Sequence, residues 1–268
     1  GTLTLGGGTA TTTNTGFLHG LPGSTVLTYN SLNSPGDIDA DYLQLYRGVT
    51  NITGSFASER LEVSSVSTIA GDVSRIGQLQ VNAYTSLDLS GATLAPAART
   101  FSTLTLGYYG ELVSDDDLTV SGSFNWAGGS LTGVSGQGSL IANGGTTLLA
   151  GNRAEMNGGF HYVNPVGRTL SVSETSLRLF GASVFENAGT MIVTDDSSIG
   201  GDDVQSLFLN SGTMQKTGGA QGNVWGSWFT LPVNNTGTIE IQTGTLTLGG
   251  GTATTTNTGF LHGLPGST

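Results

Sequence analysis

The stretch GTLTLGGGTATTTNTGFLHGLPGST fills residues 1–25 and occurs again, letter for letter, at residues 244–268. An identity of this length does not arise by chance, so the sequence holds one full period of a longer repeat and the beginning of the next. We therefore divide the chain into residues 1–243, one period of a tandem repeat, and residues 244–268, which start the next period within the same continuous fold. A period this long must contain smaller repeating units.

A smaller repeat is visible in the C-terminal third. Four segments that contain an Asn-x-Gly step follow one another at nearly constant intervals: FENAGTMIV from Phe185, FLNSGTMQK from Phe208, VNNTGTIEI from Val233 and TTNTGFLHG from Thr255. Stacked β structures place like amides above one another. We therefore predict an amide ladder of Asn187, Asn210, Asn235 and Asn257, with Asn14 as the repeat copy of Asn257. Because Asn and Gly both tolerate a positive φ, we expect the step itself to be a turn.

Apolar positions recur at the same spacing. Met191, Met214, Ile239 and, more loosely, Leu261 occupy matching positions of successive units. In the N-terminal half, Leu-x-(Leu/Val) pairs recur at less regular intervals and begin at Leu43, Leu61, Leu79, Leu104 and Leu118. Residues two apart share one face of a strand. The pattern therefore indicates short strands whose equivalents stack about 4.8 Å apart along one axis.

These patterns predict an all-β fold, a right-handed parallel β-helix (β-solenoid) with variable coils of about 14–25 residues. The right-handed sense follows from the rule for crossovers between parallel strands. At about 22 residues per coil, one period would hold about 11 coils and extend about 50 Å. The main alternative is an array of β-sandwiches, but its period would be nearer ~100 residues. A short rhythm would also not cross the period boundary in such an array.

Composition excludes several classes of function. The net charge is −11, from 19 acidic and 8 basic residues, and Lys216 is the only lysine, so nucleic acid is not an expected partner. The chain has no cysteine, which excludes disulfides and thiolate metal sites. No apolar run reaches the roughly 18 residues of a membrane helix, and we expect no membrane insertion. Because the sequence does not begin with Met, we expect a segment of a larger protein.

The segments FENAGTMIV, LNSGTMQKTGG, VNNTGTIEIQTGTLTLGGG and LTVSGSFNWAGGSLTG resemble β-helical repeats of very large bacterial surface and secreted proteins. Autotransporter passengers and filamentous-haemagglutinin-like adhesins are the familiar examples. The resemblance covers residues 103–268 and 1–16 well, and residues 26–102 only by pattern. It implies a right-handed β-helix, an extracellular or cell-surface location in a bacterium, and a role as stalk, adhesin or fibre. Such motifs specify a fold more than an activity.

The candidate catalytic groups do not assemble into a recognisable motif, and we assign no catalytic, cofactor-binding or metal site. The acidic candidates are Asp37, Asp39, Asp115, Asp116, Asp117, Asp195, Asp196, Asp202 and Asp203. A glycosidase needs two carboxyls about 5–10 Å apart, and a lyase needs an Arg or Lys base near bound calcium. Arg153 and Arg168 adjoin none of these acids in sequence. Of the three histidines, His19 and its repeat copy His262 lie in FLHGLPG, which we expect to be a surface loop, and His161 is the other; they support neither a catalytic triad nor a metal site. We expect no enzyme, and a polysaccharide lyase or hydrolase remains a remote alternative.

We predict no cofactor and keep calcium as an alternative. The oxygen-rich segments SDDDL and TDDSSIGGDD would suit calcium. However, the sequence contains neither the glycine-rich nonapeptide of calcium-binding β-rolls nor the EF-hand loop.

The preferred function is a structural repeat of a giant extracellular rod or fibre. Its partners would be the adjacent periods of the same chain, with end-to-end self-association. The alternative is a carbohydrate-binding or adhesin module that contacts cell-surface glycans. Its candidate platform is Trp126, Trp225, Trp228, Phe229, Tyr108 and Tyr109. Acceptor motifs for N-glycosylation at Asn51 and Asn234 are expected chance matches in a bacterial sequence rich in Asn and Thr.

Overall fold

The computed structural model describes residues 1–148, 153–201, 205–219, 226–249 and 254–267. In these residues the chain forms a parallel β-solenoid of about 11 turns. The prediction of an all-β parallel solenoid is confirmed. One short 3-10 helix, η1 (Pro96–Arg99), is the only helix in the described ranges.

The strands are short and follow one another closely. The first turns contain β1 (Thr2–Leu5), β2 (Thr12–Thr13), β3 (Phe17–His19), β4 (Thr25–Thr28), β5 (Leu32–Ser34), β6 (Asp37–Leu45), β7 (Val49–Ile52), β8 (Phe56–Val63), β9 (Val66–Ile69), β10 (Asp72–Val81), β11 (Ser86–Asp88) and β12 (Thr93–Leu94). The middle turns contain β13 (Thr100–Phe101), β14 (Thr103–Leu106), β15 (Glu111–Val113), β16 (Asp117–Val120), β17 (Phe124–Trp126), β18 (Gly129–Thr132), β19 (Ser139–Ala142), β20 (Thr146–Leu148), β21 (Arg153–Asn157), β22 (His161–Asn164), β23 (Thr169–Val172) and β24 (Ser176–Leu179). The last turns contain β25 (Val184–Asn187), β26 (Thr190–Val193), β27 (Ser198–Gly201), β28 (Leu207–Asn210), β29 (Thr213–Lys216), β30 (Ser227–Phe229), β31 (Val233–Asn235), β32 (Thr238–Ile241), β33 (Leu246–Leu248), β34 (Thr256–Asn257) and β35 (Phe260–Gly263).

Three parallel sheets run along the solenoid axis. Sheet 1 follows the order β1-β4-β6-β8-β10-β14-β17-β20-β23-β26-β29-β32-β35, with β3 and β12 joined at its side. Sheet 2 follows β2-β5-β7-β9-β11-β15-β18-β21-β24-β27-β30-β33, and sheet 3 follows β13-β16-β19-β22-β25-β28-β31-β34. In the first turns, the long strands β6, β8 and β10 continue round the corner that later separates sheet 3 from sheet 1.

Turn length varies, but not over the full range that the sequence suggested. On sheet 1, the shortest turn runs from Val26 to its register partner Leu43, and the longest turns include the one from Leu79 to Leu104. The shortest predicted coil, from Leu104 to Leu118, is wrong. Leu104 lies in sheet 1, where its next partner is Phe124, whereas Leu118 lies in sheet 3. The interval from Leu104 to Leu118 therefore separates two faces of the solenoid and is not a complete turn.

Inward side chains form continuous apolar columns. Strands alternate between buried and half-buried positions, as in β26 and β29. The predicted column Met191, Met214, Ile239 and Leu261 is confirmed by direct register pairing on sheet 1. On sheet 3, Tyr162, Phe185 and Phe208 are fully buried, and the ring centroids are 4.7 Å apart for the first pair and 5.8 Å for the second. Because like positions stack, each turn covers the apolar groups of the turn before it.

The predicted asparagine ladder is present in sheet 3. Asn187 Nδ2 donates to Asn210 Oδ1 at 2.7 Å, Asn210 donates to Asn235 at 2.7 Å, and Asn235 donates to Asn257 at 2.6 Å. The ladder begins one turn earlier than predicted, since Asn164 donates to Asn187 at 2.8 Å. Asn164 precedes a proline instead of an x-Gly step, which hid it in the sequence. Asn164, Asn187, Asn210 and Asn235 are buried, and the hydrogen bonds between them pair amide groups that would otherwise be costly to bury, whereas Asn257 in the last turn is exposed.

The glycines of the Asn-x-Gly steps are required for space and not for their backbone angles. Gly189, Gly212, Gly237 and Gly259 do not have positive φ values, so the chain bends at these steps without the left-handed conformation that glycine tolerates. A Cβ added to Gly237 would lie 2.1 Å from the carbonyl oxygen of Gly212, and one added to Gly259 would lie 2.1 Å from that of Gly237. The corners of successive turns therefore stack too closely for any side chain.

The two copies of the repeated segment, residues 1–25 and 244–268, occupy different faces. In the first copy, β1 lies in sheet 1 and β2 in sheet 2, while β3 pairs with the first half of β6. In the second copy, β33 lies in sheet 2, β34 in sheet 3 and β35 in sheet 1. The period thus spans eleven turns along sheet 1, from β1 to β32, and about one third of another.

The displacement of the copies corrects the prediction for Asn14. Its side chain donates to Ser34 Oγ at 3.0 Å and to the Asp37 carbonyl at 3.2 Å. It follows β2 of sheet 2 and lies apart from the ladder of sheet 3, which its copy Asn257 joins. The identical sequence therefore makes different contacts in its two positions.

Removing one amide from the ladder should destabilise the whole stack. Asn210→Ala deletes the bonds to Asn187 and Asn235 and to the Thr238 carbonyl, and leaves buried amide groups unpaired. We expect a loss of about 2–4 kcal/mol in the free energy of unfolding, measured from the urea midpoint. Asn234→Ala, on strand β31 of the next turn, is the matched control because its side chain is exposed, and it should stay within about 0.5 kcal/mol. Equal effects of the two substitutions would contradict a stabilising ladder.

A methyl group at the stacked glycines should also be poorly tolerated. Gly237→Ala places a Cβ against the Gly212 carbonyl, which is backbone and cannot rotate away. We expect a loss of about 1–3 kcal/mol by overpacking, seen as a lower thermal midpoint. Gly7→Ala, whose Cβ would meet nothing within 4 Å, serves as the control.

Candidate functional site

The first turn presents apolar groups at one end of the solenoid. Leu3 in β1 is 46% exposed, although its register partner one turn later, Val26, is only 2% exposed. Phe17 and Leu21 are also exposed in this turn. The strands β1, β2 and β3 pair with later strands on one side, and their other edges pair with no described residue. An unpaired parallel edge is a template for another strand.

The last turn presents the complementary edge. β33, β34 and β35 pair with β30, β31 and β32 respectively, and with no other strand in the described ranges. Leu261 continues the inward column of sheet 1 but is 51% exposed, whereas its partner Ile239 is 1% exposed. Phe260 and Leu264 are exposed beside it. Both ends therefore combine free backbone groups with apolar side chains of the kind that internal turns bury.

The acidic cluster at residues 115–117 holds loops in place. Asp115 Oδ1 accepts hydrogen bonds from the N–H groups of Val134 at 2.7 Å and Ser135 at 3.1 Å. Desolvation raises the pKa of the Asp115 carboxyl, but these hydrogen bonds outweigh it, and the pKa lies below its ordinary value of 3.8. The structure brings Arg99 to Asp116, with 2.8 Å between Nη2 and Oδ1. Asp117 accepts from Ser139 Oγ at 2.7 Å.

The pair Asp195–Asp196 contacts the single lysine. Lys216 is fully buried, and its Nζ donates to the carbonyls of Asp195 at 2.5 Å and Gly218 at 2.6 Å. Nζ also lies 3.3 Å from Asp196 Oδ1. Asp195 accepts from Ser197 N at 2.9 Å and from the backbone of Glu174. Sequence reasoning did not anticipate the buried lysine, which replaces an apolar residue in the column at Val193 and Ile241. A base that is fully buried is not accessible to a polysaccharide.

Several of the other acids and bases also bind groups of their own turn or of a neighbouring turn. Arg75 binds both Asp39, at 3.2 Å, and Glu59, at 2.9 Å. Asp37 accepts from Ser55 N at 3.1 Å. Arg153 pairs with Glu155.

The histidines lie in strands, His19 in β3, His161 in β22 and His262 in β35, so the prediction of a loop at His19 is wrong; each lies beside a carboxylate of a neighbouring turn. His19 lies 3.7 Å from Asp39, His161 lies 3.0 Å from Glu186, and His262 is opposite Glu240 in the register. Arg168 has no ion pair within the described ranges.

No group of three or more His, Asp or Glu side chains is placed to hold a metal ion in the part of the chain that the structure describes. The predicted candidates Asp202 and Asp203 lie outside the described residues. The acidic clusters that are described bind backbone N–H groups, hydroxyls and single basic side chains.

The aromatic candidates divide between core and surface. Trp126 is fully buried, with its Nε1 donating to the Gly129 carbonyl at 3.3 Å, and Phe229 is 1% exposed. Trp228 is half-buried on the outer side of sheet 2, and Trp225 lies outside the described residues. Tyr108 and Tyr109 are at the surface, where Tyr84 of the preceding turn joins them. Tyr84 was missed as a platform residue, although it also follows a Leu-x-Val pair by a few residues.

Comparison with known protein families, curated proteins and solved structures gives no match. The resemblance to autotransporter passengers and filamentous-haemagglutinin-like adhesins therefore extends to the β-solenoid and its repeats, and an origin in either group stays a prediction. No helix in the described ranges is both long and apolar enough to span a bilayer.

Lower pH should weaken the loop contact of Asp115. A carboxyl whose pKa is lowered by folding adds stability above its ordinary value of 3.8, and this stability is lost as pH falls through the lower folded value. We expect Asp115→Asn to reduce the thermal midpoint at pH 6, and the difference from the unsubstituted chain to shrink at pH 2.5. Asp72→Asn is the control because the Asp72 carboxylate makes no hydrogen bond or ion pair to described residues. A difference that stays constant between these pH values would contradict the assignment.

Proposed function

We propose that the chain is a structural segment of a giant extracellular or cell-surface rod, bacterial in origin, in which periods equivalent to residues 1–243 stack end to end. The observation that carries the proposal is the pair of exposed edges, where Leu3 and Leu261 are uncovered while their partners one turn inward are buried. The identity of residues 1–25 and 244–268 supports the same interpretation, because it places a further period after the first.

The partner in this proposal is another turn of the same fold. A stacked turn would provide the missing parallel hydrogen bonds and cover the inward leucines in one step. The described carboxylates support a non-enzymatic role, since those of the sequence-predicted clusters bind loops or basic side chains of the same chain. The net charge of −11 favours solubility of the lateral surface and leaves the ends as the places of contact.

A charged residue at an end should weaken association of the chain. Leu261→Lys places an ammonium group in the inward column, where a stacked turn would bury it without a partner. We expect sedimentation velocity to show end-to-end oligomers of the unsubstituted chain that increase with concentration, and mainly monomers of the variant. Val134→Lys changes another exposed apolar residue, on a lateral corner, and should leave the oligomers intact.

Two results would contradict the proposal. The first is an unsubstituted chain that stays monomeric at the highest concentration reached. The second is a Leu261→Lys variant that associates as strongly as the unsubstituted chain.

A further inference from the structure

Five of the seven tyrosines lie on one corner of the solenoid, between sheets 1 and 2. We define the tyrosine ridge as Tyr29, Tyr46, Tyr84, Tyr108 and Tyr109. Each closely follows a strand of sheet 1, namely β4, β6, β10 or β14. The ridge covers five successive corners, and only the corner after β8 has no tyrosine. At about 4.8 Å per turn, its length along the axis is roughly 19 Å.

Between the first and last turns, most of the exposed large apolar residues lie on or beside the ridge. Outside the first and last turns, the exposed large apolar side chains of the described residues are Tyr29, Tyr46, Val49, Val66, Tyr84, Tyr109, Val134 and Val166. All but Val134 and Val166 lie on or beside this corner, and Val66 follows the corner that has no tyrosine. A group of exposed apolar side chains along one corner usually marks a contact surface.

The backbone is strained to present these rings. Tyr84 has a φ of 60° and Tyr109 a φ of 52°, in the left-handed region that favours glycine. A corner that served only to reverse the chain would be more stable with glycine or asparagine at these positions. Strained backbone of this kind is found at functional contacts, and at these two corners it holds an aromatic ring at the surface.

The rings are arranged in contacting groups, and their polar ends face solvent. The centroids of Tyr29 and Tyr46 are 5.2 Å apart, and those of Tyr84 and Tyr108 are 5.6 Å apart. The hydroxyls of Tyr29, Tyr46 and Tyr84 make no hydrogen bond to any described residue, unlike the buried hydroxyl of Tyr162, which donates to Thr146 at 2.7 Å. A hydrogen bond with Tyr109 raises the pKa of Tyr108.

Amide groups border the ridge on the outer side of sheet 1. Gln80 Nε2 donates to Asn82 Oδ1 at 2.6 Å, and Asn82 Nδ2 donates to Glu62 Oε1 at 3.0 Å. Asn82 lies in the same corner as Tyr84. Aromatic side chains beside amide groups can recognise sugars. The C–H groups of the sugar ring pack on the face of the aromatic ring, while the sugar hydroxyls form hydrogen bonds with the amides.

We propose that the tyrosine ridge binds a single chain of neutral polysaccharide that lies along the solenoid axis. The inference goes beyond the structural role and does not depend on it. Rings on successive turns are spaced at about the length of one sugar residue, so a linear chain can contact one corner after another. The exposed hydroxyls of Tyr29, Tyr46 and Tyr84 would bind its hydroxyl groups.

Charge and area favour this ligand over the alternatives. Arg47, stacked 5.4 Å from the Tyr46 ring, is the only basic side chain in these corners, and the net charge of −11 repels polyanions. Full burial of the four exposed rings would cover on the order of 400 Å². A stable protein interface needs roughly 800 Å² on each side, so a narrow chain suits the ridge better than a second copy of this protein.

Affinity electrophoresis of the full chain tests the inference. The probes are soluble mixed-linkage β-glucan, α-mannan and β-galactan, with heparin and polygalacturonate as anionic comparisons. We expect at least one neutral polymer to retard the chain and the anionic polymers to have no effect. The double variant Tyr84→Gly/Tyr109→Gly should bind at least about tenfold more weakly and keep or raise its thermal midpoint, since the strain is removed.

Two controls separate ring loss from general effects. Ala182→Gly relieves a φ of 65° on another corner, and Phe17→Ala removes an exposed ring away from the ridge, so both should retain binding. Tyr46→Ser, at an ordinary backbone position, should also weaken binding and covers the case in which the double variant does not fold.

Absence of retardation by all three neutral polymers, or unchanged binding in the ridge variants, would overturn the inference. Ridge variants that lose only lateral self-association in sedimentation would overturn it as well.

Discussion

Parallel hydrogen bonding between consecutive turns is the constraint on which the structure depends. Each strand on the path of sheet 1 between β1 and β35 pairs with its equivalent in the turns before and after it, whereas β1 and β35 pair on one side only. A single turn is too thin to bury its own inward side chains, so its stability comes from its neighbours. The same fact explains why Val26 and Ile239 are buried while Leu3 and Leu261 are not. In such a fold, an end and an interior differ only in whether another turn is present.

Stacking also determines which polar groups and small residues the interior accepts. A buried asparagine is tolerated because the next turn supplies another, so that Asn164 donates to Asn187 and Asn187 donates to Asn210. The glycines behind them are selected by the carbonyl of the turn below. Lys216 is different, because it has no like residue above or below and is held by backbone carbonyls and Asp196. An isolated polar residue therefore needs its own local cage, whereas a repeated one does not.

Sequence spacing predicted the parts of the fold in which like residues stack. The asparagine ladder and the column through Met191, Met214 and Ile239 were visible because the turns there are nearly equal in length and share one dominant motif. Leu118 was misplaced because Leu-x-Val pairs occur on more than one sheet, and sequence does not show which face a strand occupies. The tyrosine ridge was only partly foreseen, since its members are scattered in sequence and become neighbours only when the turns are stacked.

The displacement of the repeat by one face has a consequence for any longer assembly. If further periods follow in the same way, the same sequence will meet the first sheet, then the second and then the third, and will return to its starting orientation only after three periods. A feature that occurs once per period, such as the tyrosine ridge, would then follow a helical path around the axis and move by one face with each period. Each of the three faces of such an assembly would therefore carry the feature once in every three periods, and a ligand could reach a copy of it from any side.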